Sequence, residues 1–240
     1  MPNPKAAMLV IGDEILSGRT RDSNMHHLAQ ELNRVGIDLV EMRIVADDRD
    51  AIIGALRALA AGHAEVFTSG GIGPTHDDIT ADCVAAAFGL ALDVRADARA
   101  VLAAHYARMG TELNPARLRM ARIPDGAVLI DNPVSAAPGF SVGHVHVMAG
   151  VPAVFQAMVA GLLPRLTGGQ PLLSQTWRIM RGEGEIAGPL AALAADCPDL
   201  MVGSYPFNTN GVYGANIVIR GHDGVAIDAA MLRLAALFPA

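Results

Sequence analysis

Between residues 5 and 70 the chain alternates short apolar runs with longer amphipathic stretches. "KAAMLVIG" (5–12) is a continuous apolar run that ends in glycine, the pattern of a strand buried on both faces of a parallel sheet. "DSNMHHLAQELNRVG" (22–36) has a capping residue, apolar Met25, Leu28, Ala29 and Leu32 at helical spacing, and a terminating Gly36. "IDLVEMRIVA" then reads as a second strand, "DRDAIIGALRALAAG" as a second helix ending at Gly62, and "AEVFTSG" as a third strand. A βαβαβ order requires crossover connections, so it predicts a parallel sheet with helices on both faces.

Downstream, "DDITADCVAAAFG" predicts a helix that opens near Asp77 and closes at Gly89. Helices are expected over 95–109 and 114–121, short strands joined by proline- and glycine-containing turns over 127–152, and a helix over 152–166. "TGGQPLL" marks a boundary. Beyond it, a strand (172–181), a helix (183–195), two strands (199–205 and 212–220) and a helix (225–238) make a small βαββα unit. The expected fold class is therefore α/β: a three-layer α/β/α domain with a mostly parallel sheet over 1–167, and a small α+β domain over 170–240.

Composition narrows the function. The 240 residues are 52% hydrophobic, enough for a sizeable core. No apolar run approaches the ~20 residues of a membrane span, so no membrane association is expected. The opening "MPNPKAAMLVIGDEIL" lacks the basic start, long apolar core and cleavage site of a secretory signal, so secretion is not expected either. A net charge of −6 and an aromatic content of 4% disfavour a nucleic-acid partner, which needs clustered cations and stacking surfaces. The βαββα order is shared with one type of RNA-binding domain, but that unit has few basic residues and no GxxG clamp. Cys83 and Cys197 lie far apart, with neither zinc spacing nor a disulfide pattern, which suits a reducing cytoplasm. No GxSxG elbow occurs, so covalent catalysis is not expected.

The chemistry concentrates in "TSGGIGPTHDDIT" (68–80), which follows the third strand. Ligands of open parallel sheets bind beyond the carboxyl ends of the strands. Gly70, Gly71 and Gly73 allow backbone amides to approach an anion, the following helix directs its positive end there, and Ser69 and Thr75 offer hydroxyls. The loop is neither a Walker loop, lacking the lysine, nor a GxGxxG loop. Asp77 and Asp78 read equally as ordinary acids of a first helical turn. Yet "GDE" (Gly12, Asp13, Glu14) follows the first strand and "ADD" (Asp47, Asp48) the second, so acids occur at three strand ends. They would repel a phosphate unless a divalent cation lay between, and such a metal-diphosphate site reconciles acids with glycines.

Together, "IGDEILSG", "DSN", "VADDRDAI", "TSGGIGPTHDDIT", "NPVSAAPGF" and "AGVP" occur in the order found in the molybdopterin-binding domain of the competence/damage-inducible protein A family, which this chain resembles over roughly residues 5–167. The trailing unit is similar to that family's second domain. The resemblance implies the three-layer fold of proteins that bind or adenylylate molybdopterin, and a metal-dependent pyrophosphatase acting on ADP-ribose- or FAD-like dinucleotides. Its motifs map onto Gly12, Asn24, Gly70, Gly71, Gly73, Pro74, Thr75 and Thr80 as ligand contacts, to which the loop's own residues add Ser69; catalytic roles are then expected for Asp13, Glu14, Asp47 and Asp78, with a magnesium, cobalt or nickel ion held among Asp13, Asp47, Asp77 and Asp78. A pterin phosphate, with molybdopterin as ligand, is the alternative occupant, and a homo-oligomer is expected. The chain has Ala149 where the family has proline, and the family's amidohydrolase domain is not expected here.

Other candidates have plainer readings beside the chemical ones. His144 and His146 share a strand face, a spacing that suits either a metal pair or an ordinary strand. His76 lies beside the acids, where it would contact phosphate or donate a proton. Tyr205, Phe207 and Asn208 sit in a stretch that reads as a hairpin or as an arm reaching a neighbouring site.

Overall fold

A computed structural model describes residues 2–209 and 211–238. The chain divides into two units, Met1–Gly169 and Gln170–Ala240.

In the first unit β1 (Lys5–Ile11) is followed by the short helix α1 (Asp13–Leu16) and by α2 (Asn24–Arg34), β2 (Asp38–Val45), α3 (Arg49–Gly62) and β3 (Glu65–Ser69). Next come α4 (Thr80–Phe88), β4 (Leu92–Val94), α5 (Ala96–Arg108), α6 (Pro115–Leu118), β5 (Arg122–Pro124), β6 (Val128–Ile130), β7 (Gly139–Val142), β8 (Val145–Met148) and α7 (Pro152–Leu162). The main sheet has the order β2-β1-β3-β8-β7-β6. Its β1–β2, β1–β3 and β3–β8 pairs are parallel, whereas β7–β8 and β6–β7 are antiparallel. The sheet is mostly parallel, as the βαβαβ order predicts, with an antiparallel margin where short turns replace crossovers.

β1 explains the layering. Ala6 through Ile11 are all buried, and alternate residues serve opposite cores. Ala7, Leu9 and Ile11 pack with Leu56 of α3, Val84 of α4 and Leu102 of α5. Ala6, Met8 and Val10 pack with Leu28 and Leu32 of α2 and with Phe155 and Met158 of α7. The period of two along a strand thus fills both sides of a three-layer α/β/α domain. β4 and β5, which the sequence reading did not contain, form a small antiparallel ribbon beside this core.

In the second unit β9 (Leu173–Ile179), α8 (Glu183–Asp196), β10 (Met201–Thr209), β11 (Val212–Gly221) and α9 (Gly224–Leu237) realise the βαββα order. The sheet order is β10-β11-β9, antiparallel throughout. Ile217 and Ile219 of β11 pack with Leu190 and Leu193 of α8 and Leu234 of α9 in a separate core. Asn210, in the expected turn, lies outside the described residues. Among the described residues no helix is long and apolar enough to cross a membrane.

Candidate functional site

The parallel strands β1, β2, β3 and β8 end on one rim, and a cavity of about 530 Å³ opens there. Its lining comes from the turns after those four strands (Gly12 and Glu14; Asp47; Gly70 to Pro74; Ala149 and Gly150) and from the 132–137 loop.

The glycine loop is built by its own acid. Asp78 accepts from the Gly73 amide (2.7 Å), the Thr75 amide (2.8 Å) and the Thr75 hydroxyl (2.6 Å). A charged acceptor taking several short bonds is a strong local clamp. Gly70 has φ 112, and a Cβ there would lie 2.2 Å from the Ile11 carbonyl oxygen. Gly71 has φ 67, and its Cβ would lie 2.2 Å from the Thr80 hydroxyl oxygen. Both positions therefore require glycine for conformation and for space. The buried Thr80 ties the loop to α4, since its hydroxyl donates to the Gly70 carbonyl (3.0 Å) and its amide to the Gly71 carbonyl (3.0 Å).

Not every glycine amide faces the cavity, which corrects part of the sequence reading. Gly70 donates to the Met148 carbonyl (3.1 Å), extending the β3–β8 pairing, and Gly73 donates to Asp78. Among the described residues no protein acceptor reaches the amides of Gly71 and Ile72. Both residues line the cavity, so their amides are candidate donors to an anion. Helix α4 begins at Thr80, not near Asp77, because Asp78 is used to close the loop before the helix starts.

The acids divide into pairs. The Asp13 amide donates to Asp47 Oδ2 (3.0 Å) and the Asp47 amide to Asp13 Oδ1 (3.4 Å), locking the ends of β1 and β2 together. Partial burial pushes the Asp47 carboxyl up; the bond from the Asp13 amide opposes this, while the charges of Asp13, Glu14 and Asp77 add to it. Asp48 caps α3 by accepting from the Ala51 amide (2.9 Å). Among the described residues no group of three or more His, Cys, Asp or Glu is disposed to hold a metal ion, so Asp13, Asp47, Asp77 and Asp78 are not gathered into one set. The physical reason is visible at Asp78, whose two oxygens are taken by the loop. The donor set does not fit a closed protein cage. The carboxylates of Glu14, Asp47 and Asp77 still border the cavity.

Several expected ligand residues lie beneath the cavity. Asn24 is 3% exposed and donates to the Ser69 hydroxyl (2.8 Å) and the Gly150 carbonyl (2.8 Å), pinning α2 to the ends of β3 and β8. Asn24, Ser69 and Thr80 are thus supports of the floor; Gly12, Gly70, Gly71, Gly73, Pro74, Glu14, Asp47, Asp77 and Asp78 line it. The residue-level reading missed the opposite wall. Buried Asn132 donates to the Ser135 hydroxyl (2.7 Å) and the Ala137 carbonyl (2.8 Å) and accepts from the amides of Val134 and Ser135, holding Ser135 and Ala137 at the rim. The Asn-Pro start of "NPVSAAPGF" is a turn signal that points to this loop.

The remaining candidates fall elsewhere. His76 is fully exposed. His146 is buried between the Ser141 hydroxyl and Glu65 (2.8 Å each), and His144 contacts the Ala60 carbonyl at 3.0 Å, so the two do not share a ligand site. Burial pushes the Cys83 thiol up to about 11, which leaves it protonated and unreactive.

Comparison with known proteins fits this geometry. Residues 7–168 match the family described as "probable molybdopterin binding domain", and residues 171–240 match the "FAD synthase, middle domain" family. A CinA-like protein of Citrifermentans bemidjiense is 40% identical over 169 residues, covering 68% of this chain and 41% of that protein. A protein of Caldivirga maquilingensis is 36% identical over 166 residues, covering 68% of this chain and 65% of its own length. The chain thus spans less than two thirds of these relatives. A crystal structure of the protein CinA "with unknown function" from Thermoplasma acidophilum superposes with a TM-score of 0.63 at 34% identity, covering 69% of this chain and 99% of that one.

Proposed function

The chain belongs to the family of the probable molybdopterin binding domain, in its CinA-like branch, and from that premise we propose that its cavity hydrolyses the diphosphate bond of ADP-ribose- or FAD-like dinucleotides. The observation that carries this reading is the juxtaposition of two unpaired amides, Gly71 and Ile72, with the acids around Asp47 on one strand rim. Donors without acids would suit a plain phosphate site. An acid such as Asp47, whose charge neighbouring acids make costlier, suits beside such donors an anion that arrives with a cation.

The residues divide the work as follows. The amides of Gly71 and Ile72 hold a phosphoryl oxygen and stabilise the charge that grows on it. A divalent cation held by Asp47 with Asp13 or Asp77 would neutralise the diphosphate and lower the pKa of bound water. Glu14, or Asp47 where it does not hold the cation, takes the proton of the attacking water. The new phosphorus–oxygen bond forms as the bridging one breaks, and the leaving phosphate departs as an anion. Gly73 and Pro74 shape one wall and Asn132, through Ser135, the other.

A second reading is favoured by the family match itself: the same cavity holds a pterin phosphate such as molybdopterin and does not hydrolyse it. Purified protein mixed with ADP-ribose or FAD and magnesium, cobalt or nickel tests the first. Turnover that Asp47→Asn abolishes supports it, and turnover no greater than that of the variant defeats it. Calorimetric binding of molybdopterin without dinucleotide hydrolysis would establish the second.

A further inference from the structure

The open face of the second unit's sheet carries side chains that the core of that unit does not use. Both helices pack on the side of Ile217 and Ile219, through Leu190, Leu193 and Leu234. Alternate strand positions set the opposite side: Tyr205 of β10 lies opposite Asn216 of β11, Asn216 opposite Arg178 of β9, and Phe207 opposite Gly214. Both rings lie along the sheet over glycines. A Cβ at Gly203 would be 3.1 Å from the Tyr205 ring, and one at Gly214 2.7 Å from the Phe207 ring. Tyr205 is nevertheless 46% exposed, so the ring face turned away from the backbone is open. The Arg178 guanidinium lies 3.9 Å from the centre of the Phe207 ring, and Arg220 donates through Nη2 to the Tyr205 hydroxyl (3.0 Å). Among the described residues neither arginine is ion-paired, and the Asn216 carboxamide has no protein partner. A ring that covers a strand glycine already has a structural purpose. That purpose does not call for two uncompensated cations and an unused carboxamide on the same face, in a chain whose net charge is −6.

We propose that this face binds a free adenine nucleotide. The open side of the Tyr205 ring stacks on the base, as flat aromatic rings on an open sheet do for bases in general. Asn216, directly across from Tyr205, presents one donor and one acceptor, the combination that meets N7 and N6 of adenine together. Guanine offers two acceptors at the corresponding edge and matches a carboxamide less well. Arg220 and Arg178 flank the pair and supply charged donors to the phosphate. Two arginines suit the phosphate of one nucleotide. They fall short of the row of cations that the backbone of a single strand needs, so a nucleotide and not a nucleic acid is the occupant. The second unit alone carries this site, whatever the cavity of the first unit does.

Calorimetric titration of the full chain with AMP tests this, together with photo-attachment of 2-azido-AMP mapped by peptide mass. AMP should bind saturably, and irradiation should attach the analogue within residues 201–209 unless unlabelled AMP competes it away. Tyr205→Ala should weaken AMP binding by about fivefold or more, whereas Tyr205→Phe should retain it. Asn216→Leu should erase the preference for AMP over GMP. Adenosine should bind more weakly than AMP at low salt, and the difference should shrink as salt is added. Should Tyr205→Ala fail to fold, as judged by circular dichroism, the position of attachment and the Asn216→Leu variant decide the matter. The proposal is overturned by the absence of saturable AMP binding, by attachment confined to the first unit, or by an affinity and base preference that neither variant changes. An oligoadenylate that binds more than about tenfold more tightly than AMP would assign the face to single strands and overturn it as well.

Discussion

At the scale of single residues, the glycine loop is held by steric necessity and by one carboxylate. Gly71→Ala must place a methyl group 2.2 Å from the Thr80 oxygen in a left-handed conformation. Gly126 has the same conformation (φ 72) with nothing within 4 Å. Gly126→Ala should therefore cost about 1–2 kcal/mol from the backbone alone, and Gly71→Ala clearly more, as read from denaturant midpoints. Asp78→Ala removes three bonds to the 73–75 backbone and hydroxyl, and should lose about 1–3 kcal/mol together with activity. Asp47 works in the opposite direction. Its carboxyl is raised in the folded protein, so the folded state binds the proton more tightly than the unfolded chain does. That group therefore lowers stability as pH rises through the window just above the ordinary carboxylate value, and the penalty is fully present at neutral pH. Asp47→Asn should melt slightly higher than the parent at pH 7, by under about 1 kcal/mol because the group is largely solvated, and should match it near pH 3. A lower melting point at pH 7 would contradict this reading.

At the scale of elements, the strand ends are fastened by buried polar contacts more than by the cavity residues themselves. Thr80→Val keeps the shape of the side chain but strands the Gly70 carbonyl, and should cost about 1–3 kcal/mol while loosening the loop that carries the free amides. Near the start of β3, His146 links Ser141 of β7 to Glu65 of β3. His146→Ala leaves the buried Ser141 hydroxyl without its partner and removes the bond to the partly exposed Glu65, and should cost about 1–3 kcal/mol in thermal unfolding with little effect on the cavity. The helices and long strands were legible because hydrophobic period and glycine stops agree with what packing selects. Three-residue strands such as β4 and β5 carry no period, and the late start of α4 depends on Asp78 folding back onto its own loop, a contact that no local pattern encodes.

At the scale of the whole molecule, the two units have separate cores. The two clusters flanking the main sheet draw on residues up to Leu163, and the third begins at Ile179. Every cavity-lining residue precedes Phe155. Residues 1–169 produced alone should unfold cooperatively and retain whatever dinucleotide hydrolysis the full chain has; loss of both would show that the second unit is needed for the first. The second unit, at roughly the size where a single core becomes marginal, should be the less stable when produced separately.

Much of the site was present in the sequence as motifs, and much of its division of labour was not. Glycines at positive φ, capping residues, apolar period and the order of the signature stretches are local properties, and local properties fix strands, helices and the rim on which a ligand sits. Which amides remain free, which aspartate closes a loop and which ones crowd each other depend on atoms brought together from turns far apart in the chain. Asp47 meets Asp13 across 34 residues, and Asn24 meets Gly150 across 126. Only the packing of β1 between β2 and β3 sets those distances, and with them decides whether an acid serves structure or chemistry.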